Sequence, residues 1–301
     1  MKELIKTLKK HDLKALSYKK VGNVVIVDSN KGKYVLKKVK NKDLFSYLDS
    51  RSFNYYPRFI DDDEFLIMEY LDSETMPDEE KMLDLINLIS LLHSKTTYYS
   101  TVDLDEYKKD YEAIKNRVEY LLSHYEKLIT YVESNVYMSP SELLLARNIS
   151  IILSALNYSN HMLDVWYKSI SDKSRRRYSF IHNNLDLNHF IKNSSSYLIS
   201  WDNAKRDLPL YDIYNLYKKY AFSFDFKSLL KRYEKNYPLL NEEKLLLFIL
   251  ISIPDEFNFT NDTYNDCVII EKIADYLYKT EDLVSPKKPI NTEENKKTNH
   301  K

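Results

Sequence analysis

The near absence of glycine is the sequence feature that most limits what this chain can fold into. Only Gly22 and Gly32 occur in 301 residues. A dinucleotide-binding fingerprint and a Walker A loop each need several glycines in close succession, so both are excluded. Gly32 supplies the positive φ of a tight hairpin between two β-forming runs, 23–28 and 33–39. With a weaker run at 15–20 before them, the chain is predicted to begin with three antiparallel strands.

Composition indicates an ordinary soluble globular protein. Hydrophobic residues make up 44% of the chain and charged residues 30%, with a formal net charge of +0. This balance gives no argument for nucleic acid or an anionic membrane surface as a partner. One cysteine, Cys267, excludes an internal disulfide and suits a reducing cytoplasm. No apolar run reaches the ~20 residues that a membrane span needs, so we expect a cytoplasmic protein.

After the first strands the pattern changes to helices. A short helix is expected at 43–49 and a continuous apolar strand at 65–71; long helical patterns follow. The segment Ser139-Pro140-Ser141-Glu142 is a capping box that opens one of these helices. That helix is predicted to bury one apolar face, made of Leu144, Ala155, Tyr158, Met162 and Trp166. These patterns predict a β-rich lobe at 1–71, a helical lobe at 72–284 and a disordered polar tail at 285–301.

One stretch, residues 180–212, carries a specific resemblance. It begins F-I-H-N-N-L-D-L-N-H-F-I and ends Y-L-I-S-W-D-N-A-K-R-D-L-P-L-Y-D, a strand–loop–strand–helix pattern. It resembles the aminoglycoside phosphotransferase and choline kinase group, whose pattern is H-G-D-x-x-x-x-N, then I-D-W, then P-x-x-D. The resemblance implies an α+β, bilobal protein-kinase-like fold, with a small antiparallel-sheet lobe, a large helical lobe and phosphotransferase chemistry.

The resemblance also assigns roles to positions. His182 and Asp212 match family residues whose implied role is structural. Asn184 stands at the catalytic aspartate, and His189 and Ser200 stand at the two metal-binding positions. An amide cannot take a proton, an imidazole offers nitrogen where Mg²⁺ prefers oxygen, and a serine is neutral. Mg²⁺ binding at these positions is therefore disfavoured.

Two further segments resemble nucleotide-binding parts of that group. Lys37, in Tyr-Val-Leu-Lys-Lys, matches the strand lysine that pairs with nucleotide phosphates. The run 65–71 resembles the hinge, which implies that Glu69 and Leu71 hold an adenine through their main chain. ATP is therefore the cofactor implied. Protein kinases pair the lysine with a glutamate, but residues 41–58 contain none, and neither Asp43 nor Asp49 is expected to replace it.

The changed positions indicate that the loop has lost its catalytic side chains and has kept its backbone conformation. Asn183 and Asn188 stand at two family glycines, and asparagine tolerates a left-handed backbone better than most residues. The leading hypothesis is a pseudokinase that binds a small molecule or a protein partner. The long helical insert is most similar to the spore-coat CotS-type subgroup, which implies a coat or assembly role and, in a spore former, a forespore location.

Two alternatives remain open. An active small-molecule kinase could use Asp186 or Asp202 as the missing carboxylate. Asp202, two residues beyond Ser200 on an expected strand, would lie about 7 Å further along, too far to replace it as a metal ligand. The third reading is a structural scaffold with an empty cleft.

Overall fold

The computed structural model describes residues 2–38, 43–62 and 65–285. As predicted, the chain is α+β, with an antiparallel sheet at its beginning and helices through most of the rest. The predicted lobe boundaries at 71 and 284 stay predictions, and the predicted tail lies, from residue 286 on, outside the described residues.

Within the described residues the elements follow one another in this order: α1 Lys2–Lys10, β1 Ala15–Val21, β2 Val24–Ser29, β3 Gly32–Lys38, α2 Asp43–Ser50, β4 Phe59–Asp61, β5 Phe65–Glu69, α3 Asp78–Thr96, β6 Tyr98–Thr101, α4 Leu104–Ser134, α5 Pro140–Ile170, β7 Arg175–Ile181, a 3-10 turn Leu187–His189, β8 Phe190–Lys192, β9 Ser196–Leu198, a 3-10 turn Trp201–Asn203, β10 Lys205–Asp207, α6 Leu210–Tyr220, α7 Phe226–Asn236, α8 Asn241–Ser252 and α9 Thr263–Val284. No helix in these ranges is long and apolar enough to cross a membrane.

The chain forms two compact units, each discontinuous in sequence. The first unit contains residues 1–100, 175–219 and 228–239. Of the described residues, the second unit contains 101–174, 220–227 and 240–285.

The first unit opens with a five-stranded antiparallel sheet in the order β1-β2-β3-β5-β4. Gly22, at φ 56, and Gly32, at φ 125, occupy the turns on either side of β2. Both turns therefore use backbone that other residues rarely adopt. The three strands predicted from these two glycines are confirmed.

Helix α1 covers one face of this sheet. Leu4 and Leu8 of the helix, with Leu13 after it, are buried against Val27 of β2 and Ile67 of β5. Burying a leucine or isoleucine side chain contributes about 1.5–3 kcal/mol. The lysines between these leucines stay outside the core, so the apolar spacing alone fixes which face of α1 contacts the sheet.

The rest of the first unit supports the stretch between β7 and α6, which contains short strands, 3-10 turns and loops. Strands β10, β7 and β6 form a three-stranded sheet, and β8 pairs with β9 in a small antiparallel ribbon. Helix α3 packs against β7 and β8. Helix α3 therefore holds both the three-stranded sheet and the ribbon. The loop between β7 and β8 and the segment between β9 and β10 start from these two sheets.

In the second unit, α5 packs against α4, α8 and α9. The predicted capping box at its start is present: Ser139 Oγ accepts from the Glu142 N–H at 3.3 Å, and Glu142 Oε2 accepts from the Ser139 N–H at 2.6 Å. The predicted apolar face is confirmed in part: Trp166 is buried, and Leu144, Ala155, Tyr158 and Met162 are half-buried. The buried residues of α5 include Leu145, Leu156 and Leu163, each one position after a predicted residue.

Candidate functional site

The site is braced by Asp212 at the start of α6. Its carboxylate accepts hydrogen bonds from the backbone N–H groups of His182, at 2.8 Å, and Asn183, at 2.7 Å. The same carboxylate lies 3.1 Å from Nε2 of His93, whose Nδ1 lies 2.7 Å from the hydroxyl of Tyr233. Asp212 and His93 are fully buried. One buried carboxylate therefore fixes the loop after β7 to both α3 and α6.

The His182 ring holds the other side of the loop. Its Nε2 lies 2.9 Å from the carbonyl oxygen of Ile199, and its ring meets Trp201 edge-on at 4.7 Å. Because a carbonyl only accepts, Nε2 carries the proton and Nδ1 does not. Burial lowers the pKa of His182 more than the nearby Asp212 carboxylate raises it. His182 is therefore a neutral donor that ties the loop to the segment after β9.

One of the two loop asparagines uses a left-handed backbone. Asn183 has φ 53, a left-handed conformation that glycine adopts readily. Asn188 instead lies in the 3-10 turn at negative φ, so the expectation for it was wrong. Its N–H donates to Asp186 Oδ1 at 2.7 Å, and Asp186 Oδ2 forms an ion pair with Lys219. Both oxygens of Asp186 are thus engaged in holding the loop.

The three changed positions lie together and contact one another. Asn184 Nδ2 is 3.4 Å from the carbonyl oxygen of Ser200, and the carbonyl oxygen of Asn184 is 2.7 Å from Nδ1 of His189. The Asn184 and Ser200 side chains carry no charge, and Nδ1 of His189 donates to the carbonyl oxygen of Asn184. The arrangement orients the loop, and it offers no carboxylate at any of the three positions.

Ser200 changes the direction of the chain. It adopts a left-handed backbone with φ 66, and Trp201–Asn203 follow as a 3-10 turn. The assumption that Asp202 continues a strand was therefore wrong. The turn brings the Asp202 carboxylate into an ion pair with Lys37 of β3, with side chains 17% and 26% exposed for Lys37 and Asp202. The residue types at 200–203 do not predict this turn.

The helix before β4 does not supply the partner of Lys37. In α2, Asp49 accepts a hydrogen bond from the hydroxyl of Tyr56. At the predicted hinge, the Glu69 N–H donates to the Arg58 carbonyl at 2.8 Å. Leu71 is half-buried just beyond β5. The cofactor-binding roles of Lys37, Glu69 and Leu71 stay predictions.

The donors at the metal positions do not fit Mg²⁺. That ion requires several oxygen ligands in near-octahedral geometry. Here the positions offer an imidazole and a hydroxyl, and the two carboxylates next to them in sequence, Asp186 and Asp202, are paired with Lys219 and Lys37. Over residues 2–38, 43–62 and 65–285, no cluster of three or more histidine, cysteine, aspartate or glutamate residues could hold a metal.

Comparison with known proteins places the chain by fold. No protein-family model and no curated protein matches the sequence. Among solved structures, the aminoglycoside phosphotransferase from Alicyclobacillus acidocaldarius is similar with a TM-score of 0.66, at 10% identity over 90% of each chain. The AMP-bound spectinomycin phosphotransferase APH(9)-Ia aligns with a TM-score of 0.50, at 13% identity over 93% of this chain and 90% of that one.

The other neighbours include choline and ethanolamine kinases. The choline kinase LicA from Streptococcus pneumoniae aligns with a TM-score of 0.49, at 14% identity over 94% of this chain and 96% of that one. The chain has the protein-kinase-like fold of the first two structures, as predicted.

Proposed function

We propose that this chain is a phosphotransferase-like protein that retains a kinase-like cleft for binding and does not transfer phosphate. The observation that carries the proposal is the group Asn184, His189 and Ser200. Asn184 and His189 lie in the loop braced by Asp212, Ser200 lies in the adjoining segment after β9, and none of the three is a carboxylate. The framework of the loop is present without the groups that phosphoryl transfer needs.

The chemical cost of these changes is large. Phosphoryl transfer needs a carboxylate to orient or deprotonate the acceptor hydroxyl and anionic oxygens to hold the metal. The amide at 184 cannot take a proton. Losing a positioned base costs roughly 10²–10⁴ in rate, before the missing metal anchor is counted.

The two carboxylates that could replace the lost ones have other partners. Asp186 uses both oxygens, one on the Asn188 N–H and one on Lys219. Asp202 neutralises Lys37, which is also the cation that would meet the phosphates. An active kinase would have to break this ion pair before either group could serve a nucleotide.

A restoration variant tests the proposal. We expect the wild type to bind ATP no more tightly with Mg²⁺ than without it. The triple change Asn184→Asp, His189→Asn and Ser200→Asp supplies the carboxylates and should add Mg²⁺-dependent affinity of about 1–3 kcal/mol. Calorimetric titration with ATP, with and without Mg²⁺, measures both. Asn188→Asp is the matched control, because it adds charge to the same loop at an exposed position.

Other outcomes separate the alternatives. Phosphate transfer by the wild type, abolished by Asp202→Asn, would show a rewired kinase and contradict the proposal. No ATP binding by the wild type or the triple variant would favour the scaffold with an empty cleft.

A coat or assembly role of the CotS type is the finer part of the proposal. It rests on the similarity of the long helical insert to that subgroup. A fluorescent fusion of the whole chain, expressed in a sporulating host, should collect at the forespore surface. A diffuse signal would contradict this part while leaving the binding role untouched.

A further inference from the structure

A cluster of cations surrounds Tyr47 on the first unit. The Arg51 guanidinium carbon lies 5.5 Å from the centre of the Tyr47 ring, and that of Arg206 lies 5.2 Å from the same centre. Arg206 is also 6.0 Å from the ring of Tyr98. Both arginines are exposed. Two guanidinium groups, one from the residue directly after α2 and one from β10, are thus held over one aromatic ring.

The rings that hold these arginines are themselves fixed. The Tyr47 hydroxyl donates to the carbonyl of Thr96 at 3.3 Å, and its ring packs against Phe180 with centroids 5.6 Å apart. Phe180 is the register partner of Arg206 between β7 and β10. An arginine stacked on an aromatic face keeps its N–H edges free for a planar, bidentate contact.

Neither arginine has an acidic partner among the residues that the structure describes. The nearby carboxylates in sequence are engaged elsewhere: Asp49 accepts from the Tyr56 hydroxyl, and Asp207 lies 2.7 Å from Lys205 Nζ. A third cation stands beside Arg51, since Lys95 Nζ donates to the carbonyl of Ser52 at 2.7 Å. Neither guanidinium group is therefore ion-paired to a described carboxylate, and the one carboxylate charge that acts on Tyr98 is that of Asp207.

The same chain shows what a compensated pair looks like. In the second unit, Arg117 lies 5.5 Å from the centre of the Tyr120 ring, and its Nη1 is 3.1 Å from Glu256 Oε2. The geometry on the ring matches that of Arg51 on Tyr47. The difference is the carboxylate, which the Tyr47 cluster lacks.

We propose that Arg51 and Arg206 form a binding site for a phosphate group, carried by inorganic phosphate or by a phosphomonoester. A tetrahedral dianion offers several oxygens to two guanidinium forks and offsets the repulsion between them. Burial raises the pKa of Tyr98, although Arg206 opposes this. The Tyr98 hydroxyl therefore stays protonated beside Arg206 and can donate a hydrogen bond. The proposal does not depend on whether the cleft at Lys37 binds a nucleotide.

Calorimetric titration of the whole protein with inorganic phosphate and with O-phosphoserine, at ionic strength fixed by chloride, tests the site. We expect Arg51→Gln and Arg206→Gln each to weaken binding about tenfold or more. Arg206→Lys should also weaken it, because lysine keeps the charge and loses the fork. Arg117→Gln, on its compensated ring, should bind phosphate as tightly as the wild type does. Circular dichroism confirms that each variant is folded.

The two probes distinguish the source of the phosphate. Tighter binding of O-phosphoserine supports the proposal and indicates a phosphorylated side chain; equal binding supports it with free phosphate as the ligand. Absence of binding to both probes at millimolar concentration would overturn it. It would also fail if Arg117→Gln lost as much affinity as Arg51→Gln, or if Arg206→Lys bound as tightly as the wild type.

Discussion

Replacing Asp212 by alanine should unfold the site loop at a cost that the structure allows us to work out. The change leaves the backbone N–H of His182 without its acceptor in a fully buried position, and that of Asn183 in a half-buried one. It also removes the buried partner of His93 Nε2. A buried unsatisfied donor costs about 1–3 kcal/mol. Water can reach Asn183, so we expect a total loss of about 3–5 kcal/mol.

Urea denaturation measures this loss through Trp201, which packs against His182 at a ring distance of 4.7 Å. A Trp166→Phe background removes the other tryptophan, since the chain has two. Asp28→Ala is the control, because Asp28 is 50% exposed and its loss should cost less than about 1 kcal/mol. Asp212→Asn should fall between the two, since its amide keeps one acceptor and turns a donor toward an N–H. A loss below about 1 kcal/mol for Asp212→Ala would refute the bracing role.

Three further outcomes are expected. Burial lowers the pKa of His182 below its ordinary 6.5, so at lower pH the unfolded chain binds a proton that the folded chain does not bind. The free energy of unfolding should therefore fall as the pH drops below about 6.5. Urea titrations at several pH values should show this slope in the wild type and a flatter slope in His182→Gln. Ser139→Ala should lower the stability of the second unit by about 1 kcal/mol in chemical denaturation, because the Glu142 N–H loses its cap; an unchanged midpoint would count against the cap. Asp202→Asn frees Lys37 and should raise Mg²⁺-free ATP affinity about tenfold by calorimetry, whereas weaker binding would argue against a phosphate-binding lysine.

The strands at the start of the chain were predictable because local chemistry decides them. Gly22 and Gly32 take φ values that other residues avoid, so their positions mark the turns around β2. The fold class followed from the same logic together with the loop pattern of residues 180–212.

The face of α5 was not predictable with the same precision. The helix contacts α4, α8 and α9, so its sides are buried by different neighbours and apolar residues occur all around it. Leu144, Ala155, Tyr158 and Met162 are half-buried, and the residue after each of Leu144, Ala155 and Met162 is a buried leucine. An error of one residue on a helix corresponds to about 100° of rotation.

Part of the site depends on backbone geometry that residue type does not reveal. The resemblance located Asn184, His189 and Ser200, and the structure places them in contact. The left-handed backbone at Ser200 is a tertiary effect, because serine has little intrinsic preference for it. The ion pair of Asp202 with Lys37 follows from that one dihedral angle, and no sequence pattern pointed to it.

The interleaving of the two units has a consequence for how the chain is made on the ribosome. The partners of His93 come 119 and 140 residues later, at Asp212 and Tyr233. At about 5–20 residues per second, α3 waits roughly 7–30 s for them during translation. We therefore predict that ribosome-stalled chains ending near residue 225 are cut by protease within 78–96, and that chains extending beyond 260 are protected there. Equal protection of the shorter and the longer chains would show that α3 is buried by earlier segments. The expected difference would mean that α3 stays exposed during synthesis and can be bound by chaperones.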